Sequence, residues 1–179
     1  MNYATIKKLD VANGPGVRVS LFVSGCTHHC KGCFNPEAWD FKYGQPFTQE
    51  TESELFDALS KPYVRGLSLL GGEPFEPANQ KVLVGFLKRF KEKFPTKDVW
   101  CYSGYNFEQD MLTGNLGPWE ITEEMLSYID ILVDGEFVLE LKNPNLRFRG
   151  SANQRVIRVQ ESIKTDEIVL WDDNEGLVD

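Results

Sequence analysis

The chain has no apolar run approaching the roughly 20 residues needed to cross a bilayer, which leaves a helical membrane span without support. Its opening residues, Met1-Asn2-Tyr3-Ala4-Thr5-Ile6-Lys7-Lys8, lack the apolar stretch of a signal peptide. Cysteine is scarce: four residues, three of them clustered, do not make the disulfide framework of a small secreted protein. A reducing, cytoplasmic location is the expectation. Basic side chains are also in short supply, 19 against 27 acidic, for a formal net charge of -8, and the stretch Asp172-Asp173-Asn174-Glu175 adds to the imbalance. Phosphate backbones attract the opposite sign, so neither nucleic acid nor membrane is an expected partner. No internal repeat or linker stands out. At 179 residues and 41% hydrophobic, the expectation is a single domain over residues 1–179 with a sizeable core.

Apolar runs recur along the chain at Val17 to Val23, Gly66 to Leu70, Val99 to Tyr102, Ile129 to Val133 and Val156 to Val159, and read as strands. They are too continuous for a sheet wetted on one face, and most gaps between them have room for a crossover helix. The pattern predicts an α/β fold with a mostly parallel sheet, either an open or partial (βα) barrel or a doubly wound sheet. The clearest helix carries Val82, Leu83, Phe86, Leu87, Phe90 and Phe94 at spacings of three and four. A second is expected over Thr48 to Leu59, with Thr51-Glu52-Ser53-Glu54 as a possible capping box. A third runs from Glu123 to Ile129 behind Thr122 as its cap.

Chemistry concentrates in Cys26-Thr-His-His-Cys30-Lys-Gly-Cys33, directly after the first of these strands. A [4Fe-4S] cluster takes one thiolate per iron, so a loop supplying three leaves one iron open to another ligand. Structural zinc, the alternative, needs four closed ligands, and the local candidates His28 and His29 lie inside the loop. The second strand also ends in a ligand-suited turn, Gly71-Gly72-Glu73-Pro74. Its glycines permit close backbone approach, and Glu73 adds an acceptor suited to a cationic amine. In parallel α/β folds such strand ends are where ligands gather.

A three-cysteine loop after one strand and Gly-Gly-Glu-Pro after the next resembles the radical S-adenosylmethionine enzymes. Asn13-Gly14-Pro15-Gly16-Val17-Arg18 resembles the glycyl-radical-enzyme activases within them. More narrowly, Phe22 to Cys26, Gly32 to Asn35, Gly44 to Thr48, Val133-Asp134-Gly135-Glu136-Phe137 and Arg149-Gly150-Ser151-Ala152-Asn153-Gln154-Arg155 are similar to the family that activates anaerobic ribonucleoside-triphosphate reductase. Gly32 stands where many radical enzymes place an aromatic, with Phe34 following the last cysteine instead, as this narrower family has it.

The resemblance implies a partial (βα) barrel in which Cys26, Cys30 and Cys33 bind three irons of a [4Fe-4S] cluster and S-adenosylmethionine chelates the fourth. It places Gly71, Gly72 and Glu73 at the methionine amine and Gly32, Cys33 and Phe34 beside the adenine. It implies reductive cleavage to a 5′-deoxyadenosyl radical that takes hydrogen from a glycine of the reductase large subunit, with reduced flavodoxin or a similar donor supplying the electron. The rivals are an activase of another glycyl radical enzyme and a non-catalytic zinc-binding module.

Other residues have plainer readings. Cys101, in a strand-like run, reads as a buried inert thiol. His28 and His29 read as exposed loop residues, because radical abstraction needs no general base. Trp100 reads as core; Tyr102 and Tyr105 could line a cofactor or partner surface. Asp134 and Glu136 could touch ribose or simply form a turn. Arg149 to Arg155 fits a capping loop and a docking surface equally.

Overall fold

The computed structural model describes residues 1–172, so Asp173, Asn174 and Glu175 of the acidic stretch lie outside the described residues. In chain order the regular elements are β1 (Asn2–Asp10), β2 (Val17–Val23), β3 (Gln45–Pro46), α1 (Gln49–Leu59), β4 (Val64–Gly71), α2 (Pro77–Lys93), β5 (Asp98–Tyr102), α3 (Trp119–Tyr128), β6 (Ile131–Asp134), β7 (Arg155–Arg158) and α4 (Val159–Thr165). The strands form one seven-stranded sheet in the order β3-β1-β2-β4-β5-β6-β7.

The sheet is mixed, which corrects the mostly parallel expectation. β2, β4, β5 and β6 run parallel to one another, whereas β1 pairs antiparallel with β2, β3 with β1, and β7 with β6. The β6 to β7 connection contains a short 3-10 turn, Leu139–Leu141, but no crossover helix, so β7 returns in the opposite direction. β1 left no run in the sequence because its pairing slips between Tyr3 and Thr5 and again between Lys7 and Asp10, which breaks the alternation of faces.

Side chains of the central strands alternate strictly between two environments. Val19, Leu21, Leu67, Leu69, Val99, Cys101, Leu132 and Ile157 join Leu55 and Leu59 of α1, Leu83, Phe86 and Phe90 of α2, and Leu126 of α3 in one apolar core. The residues between them, including Trp100, Ile131, Val133 and Val156, face the other way and meet Phe148 and Trp171. Trp100, Phe148 and Trp171 pack edge-on with centroids 5.4, 5.4 and 5.7 Å apart. Since α1, α2 and α3 all join the first layer, the doubly wound alternative, with helices on both faces, does not hold.

Two helix starts differ from expectation. Thr48, in extended conformation, caps α1: Thr51 N donates to its Oγ1 at 3.4 Å and Thr48 N donates to Thr51 Oγ1 at 3.2 Å, so the capping box lies one turn before Thr51-Glu54. α3 starts at Trp119 after Pro118. Thr122 is inside it, and its hydroxyl donates to Gln80 Oε1 at 2.8 Å, joining α3 to α2.

Candidate functional site

The carboxyl ends of β2, β4, β5 and β6 lie along one edge of the sheet, and each delivers part of the site. The loop after β2 carries Cys26, Cys30 and Cys33; the turn after β4 is Gly71 to Glu73. Together with Gly32 and Phe34 they line one cavity of about 430 Å³, and Tyr102 at the end of β5 continues its wall. Phe34 is 74% exposed and sits at the rim.

All four cysteines carry free thiols. Burial pushes Cys26 up to about 12 and also raises Cys30. Asn35 N donates to Cys33 Sγ at 3.5 Å. His29 takes a left-handed conformation, φ 52°, with its ring stacked on Trp39 at 4.6 Å. Among the described residues, no group of three or more His, Cys, Asp or Glu side chains is gathered closely enough for a single metal ion. Three thiols on one cavity match three irons of a cluster at one thiolate each, and fall one short of the four closed ligands of structural zinc.

Backbone contact explains the Gly-Gly pair. Gly72 N donates to Val23 O at 2.7 Å and Glu73 N to Gly25 O at 2.8 Å, stitching the turn to the entry of the cysteine loop. A Cβ on Gly72 would stand 2.6 Å from Gly25 O and 2.9 Å from Ala38 O; one on Gly71, where φ is +112°, would stand 2.6 Å from Val23 O. These glycines let two backbones touch.

Glu73 differs from its expected role. It is only 1% exposed, and its carboxylate already accepts from Phe75 N at 2.8 Å, Ser103 Oγ at 2.8 Å, Gly104 N at 2.7 Å and His28 Nε2 at 3.0 Å. With these donors in place, its side chain joins β4, β5 and the cysteine loop instead of offering an open acceptor to an amine. Glu76, three residues on, accepts from Thr27 N at 2.7 Å and Thr27 Oγ1 at 2.6 Å, a second anchor that the sequence reading missed. The spacing Glu73-Pro74-Phe75-Glu76 before Pro77 was the available signal.

His28 is not a solvated bystander. Its side chain is 9% exposed, and Nδ1 meets Glu136 Oε1 at 3.0 Å while Nε2 meets Glu73. Burial alone would lower its pKa, but the hydrogen bonds and charges of Glu73 and Glu136 outweigh it and carry the imidazole up to about 9. His29 is exposed, as expected. Asp134 is buried and accepts from Phe107 N at 2.9 Å and from Arg155 Nε at 3.0 Å, so its carboxylate works inside the fold and not on a ribose. Gln154 Nε2 donates to Gly135 O at 3.0 Å, and its Oε1 accepts from Gly150 N and Ser151 N. The 149–155 segment thus braces itself on β6 while Arg149, Gly150 and Gln154 line the cavity. Trp100 and Cys101 are buried, as expected, on opposite faces of β5.

Residues 12–157 match the family model described as a 4Fe-4S single cluster domain. Relatives named anaerobic ribonucleoside-triphosphate reductase-activating protein are similar along most of the chain. The one from Vibrio cholerae is 43% identical over 161 residues, 88% of this chain and 98% of its own length. The one from Enterobacteria phage T4 is 43% identical over 157 residues, 87% and 93% of the two chains. The Escherichia coli K12 protein is 39% identical over 158 residues, 87% and 97%. A family-model match across the cysteine loop and the strand ends around it, together with identity of this extent, establishes that the chain belongs to the anaerobic ribonucleoside-triphosphate reductase-activating proteins, with their 4Fe-4S single cluster domain.

Proposed function

We propose that the chain generates a glycyl radical on the large subunit of an anaerobic ribonucleoside-triphosphate reductase. The observation that carries this reading is the one cavity that joins three free thiols to the backbone turn Gly71 to Glu73. Cys26, Cys30 and Cys33 would each hold one iron of a [4Fe-4S] cluster. The turn would receive the methionine end of S-adenosylmethionine through its backbone, since the Glu73 carboxylate is occupied; Gly32, Cys33 and Phe34 would flank the adenine, with Phe34 as an apolar wall. When bound, the two groups supply one-electron cleavage of a carbon–sulfur bond. Each event consumes one electron and one S-adenosylmethionine and leaves methionine, 5′-deoxyadenosine and one glycyl radical.

The protein's own contribution is placement and enclosure. Helices on one face of a sheet with a parallel centre support a partial (βα) barrel of the radical type, formed by one domain over the whole chain. Lys142, Leu146, Phe148, Arg149 and Gly150 line the same cavity as the cysteines, and its mouth would receive a backbone loop of the partner. A cytoplasmic site of action and reduced flavodoxin as donor complete the reading.

The test is to mix anaerobically reduced protein, S-adenosylmethionine and reductase and record the paramagnetic resonance spectrum. A glycyl doublet is expected on the reductase, absent when its target glycine is replaced by alanine. A doublet only on a different glycyl radical enzyme would make this an activase of that enzyme. Stoichiometric zinc with no iron after anaerobic purification would make it a zinc module.

A further inference from the structure

We propose that His28 is a positioning residue of this reaction: wedged between Glu73 and Glu136, it fixes where the cysteine loop stands relative to the turn that receives the cofactor. The inference deepens the activase reading and rests on it.

Among the described residues, the side-chain links that tie the cysteine loop to the rest of the fold are unequal. Lys31 meets Glu140 at 3.1 Å with the two side chains 78% and 66% exposed, a geometry that contributes little in water. Thr27 reaches Glu76, at the start of α2, and Tyr105, just past the end of β5. His28 spans three strand ends. Through Glu73 it is joined to the end of β4 and, by way of Ser103 and Gly104, to the end of β5; through Glu136 it is joined to the turn after β6. Both ring nitrogens meet carboxylate oxygens at 3.0 Å, so the plane of the ring is set from both sides.

The slot around the ring is closely fitted. Tyr105 lies against it with centroids 4.4 Å apart, and a Cβ on Gly104 would come within 2.6 Å of the imidazole. His28 also lines two cavities at once, the one that holds the thiols and a second, polar one bounded by Asn106, Asp110 and Asn153. The imidazole is the partition between them. Without it the loop loses its buried tie between Glu73 and Glu136, and water gains a path behind the cysteines.

The experiment compares full-length, anaerobically reconstituted wild type with His28→Ala, His28→Gln and Glu136→Ala. For each variant, iron content, S-adenosylmethionine affinity by calorimetry, and the change in the reduced cluster's paramagnetic resonance spectrum on adding the cofactor are measured. His28→Ala should keep its iron, because the thiolates remain, but bind the cofactor roughly 10–100-fold more weakly and lose the cofactor-induced spectral change. His28→Gln, whose amide can still donate to Glu73, should recover part of both. Glu136→Ala should shift both in the same direction by less.

Wild-type affinity and spectral response in an iron-replete His28→Ala protein would overturn the proposal. So would a Gln variant no better than Ala, which would mean that only volume matters. Should His28→Ala fail to take up iron, Glu136→Ala decides, and an unaltered affinity and spectrum there overturns the proposal. All of these readouts use the activase alone, whereas the activase reading fails on the absence of a reductase doublet with wild type.

Discussion

On one face of the central strands, Val19, Leu21, Leu67, Leu69, Val99 and Leu132 bury themselves against three helices with no charged group among them. On the other face the same strands bury Arg18, Ser20 and Ser68, roofed by the loop from Asp10 to Val17. Arg18 is 0% exposed. Its Nε donates to Ser68 Oγ at 2.7 Å, its Nη2 to Leu67 O at 2.8 Å, and it pairs with Asp98 at 2.6 Å. The first face is held by non-directional burial, which tolerates small shifts; the second combines the apolar cluster around Trp100 with directional bonds at β2 and β4, which do not tolerate them. The cavity opens where the strands end, so the polar face and its loops set the geometry there, while the apolar face keeps the strands in register.

The largest effect that tests this division concerns the thiols. Replacing Cys26, Cys30 or Cys33 with alanine should each abolish S-adenosylmethionine cleavage, since a cluster lacking a thiolate is labile or wrongly poised. Cys101→Ala, on the apolar face, should leave iron content unchanged and cost only about 1 kcal/mol in lost burial. Iron lost from a natively folded Cys101→Ala protein would break the comparison.

Gly72→Val comes next. Because its side chain would strike Gly25 O and Ala38 O, iron content and cofactor affinity should fall together, read by iron analysis and anaerobic calorimetry. A variant with full iron and selectively weakened cofactor binding would instead show that this glycine keeps ligand space open.

Arg18→Met should destabilise the metal-free protein by about 3–5 kcal/mol in urea unfolding, because Asp98 and Ser68 lose a buried partner. A loss below about 1 kcal/mol would show that the polar face is as plastic as an apolar core.

The smallest expected effect is a pH dependence. Burial pushes the Asp10 carboxyl up, but hydrogen bonds from Ser20, Asn13 and Ala12 N outweigh it and leave its pKa below the ordinary value. A depressed folded pKa adds stability that is fully present above the unfolded value, near about 3.9, and is lost as pH falls through the folded one. Asp10→Asn should therefore cost about 1–3 kcal/mol near neutrality, and the gap to wild type should close as the medium becomes strongly acidic. A gap that stays constant across that window would remove Asp10 from the account.

Short-range patterns were legible without coordinates. The runs at Val17 to Val23 and Val99 to Tyr102, the spacing of Leu83, Phe86, Leu87 and Phe90, and the clustering of Cys26, Cys30 and Cys33 each express a local rule of strand, helix or ligand chemistry. Those rules determined the central strands, the main helix, the buried thiol of Cys101 and the strand-end location of the chemistry. They could not reveal β1, whose bulges erase its alternation, or the reversal of β7, which depends on what the chain does across 20 intervening residues. Nor could they assign the polar side chains. Glu73, Glu76, His28, Asp134 and Arg18 look alike as candidate site residues in one dimension. Each finds its partner from 21 to 108 positions away, apart from local backbone donors: Glu73 with Ser103 and His28, Glu76 with Thr27, His28 with Glu136, Asp134 with Arg155, and Arg18 with Ser68 and Asp98. A carboxylate's role depends on which donors reach it first, and only the folded chain decides that.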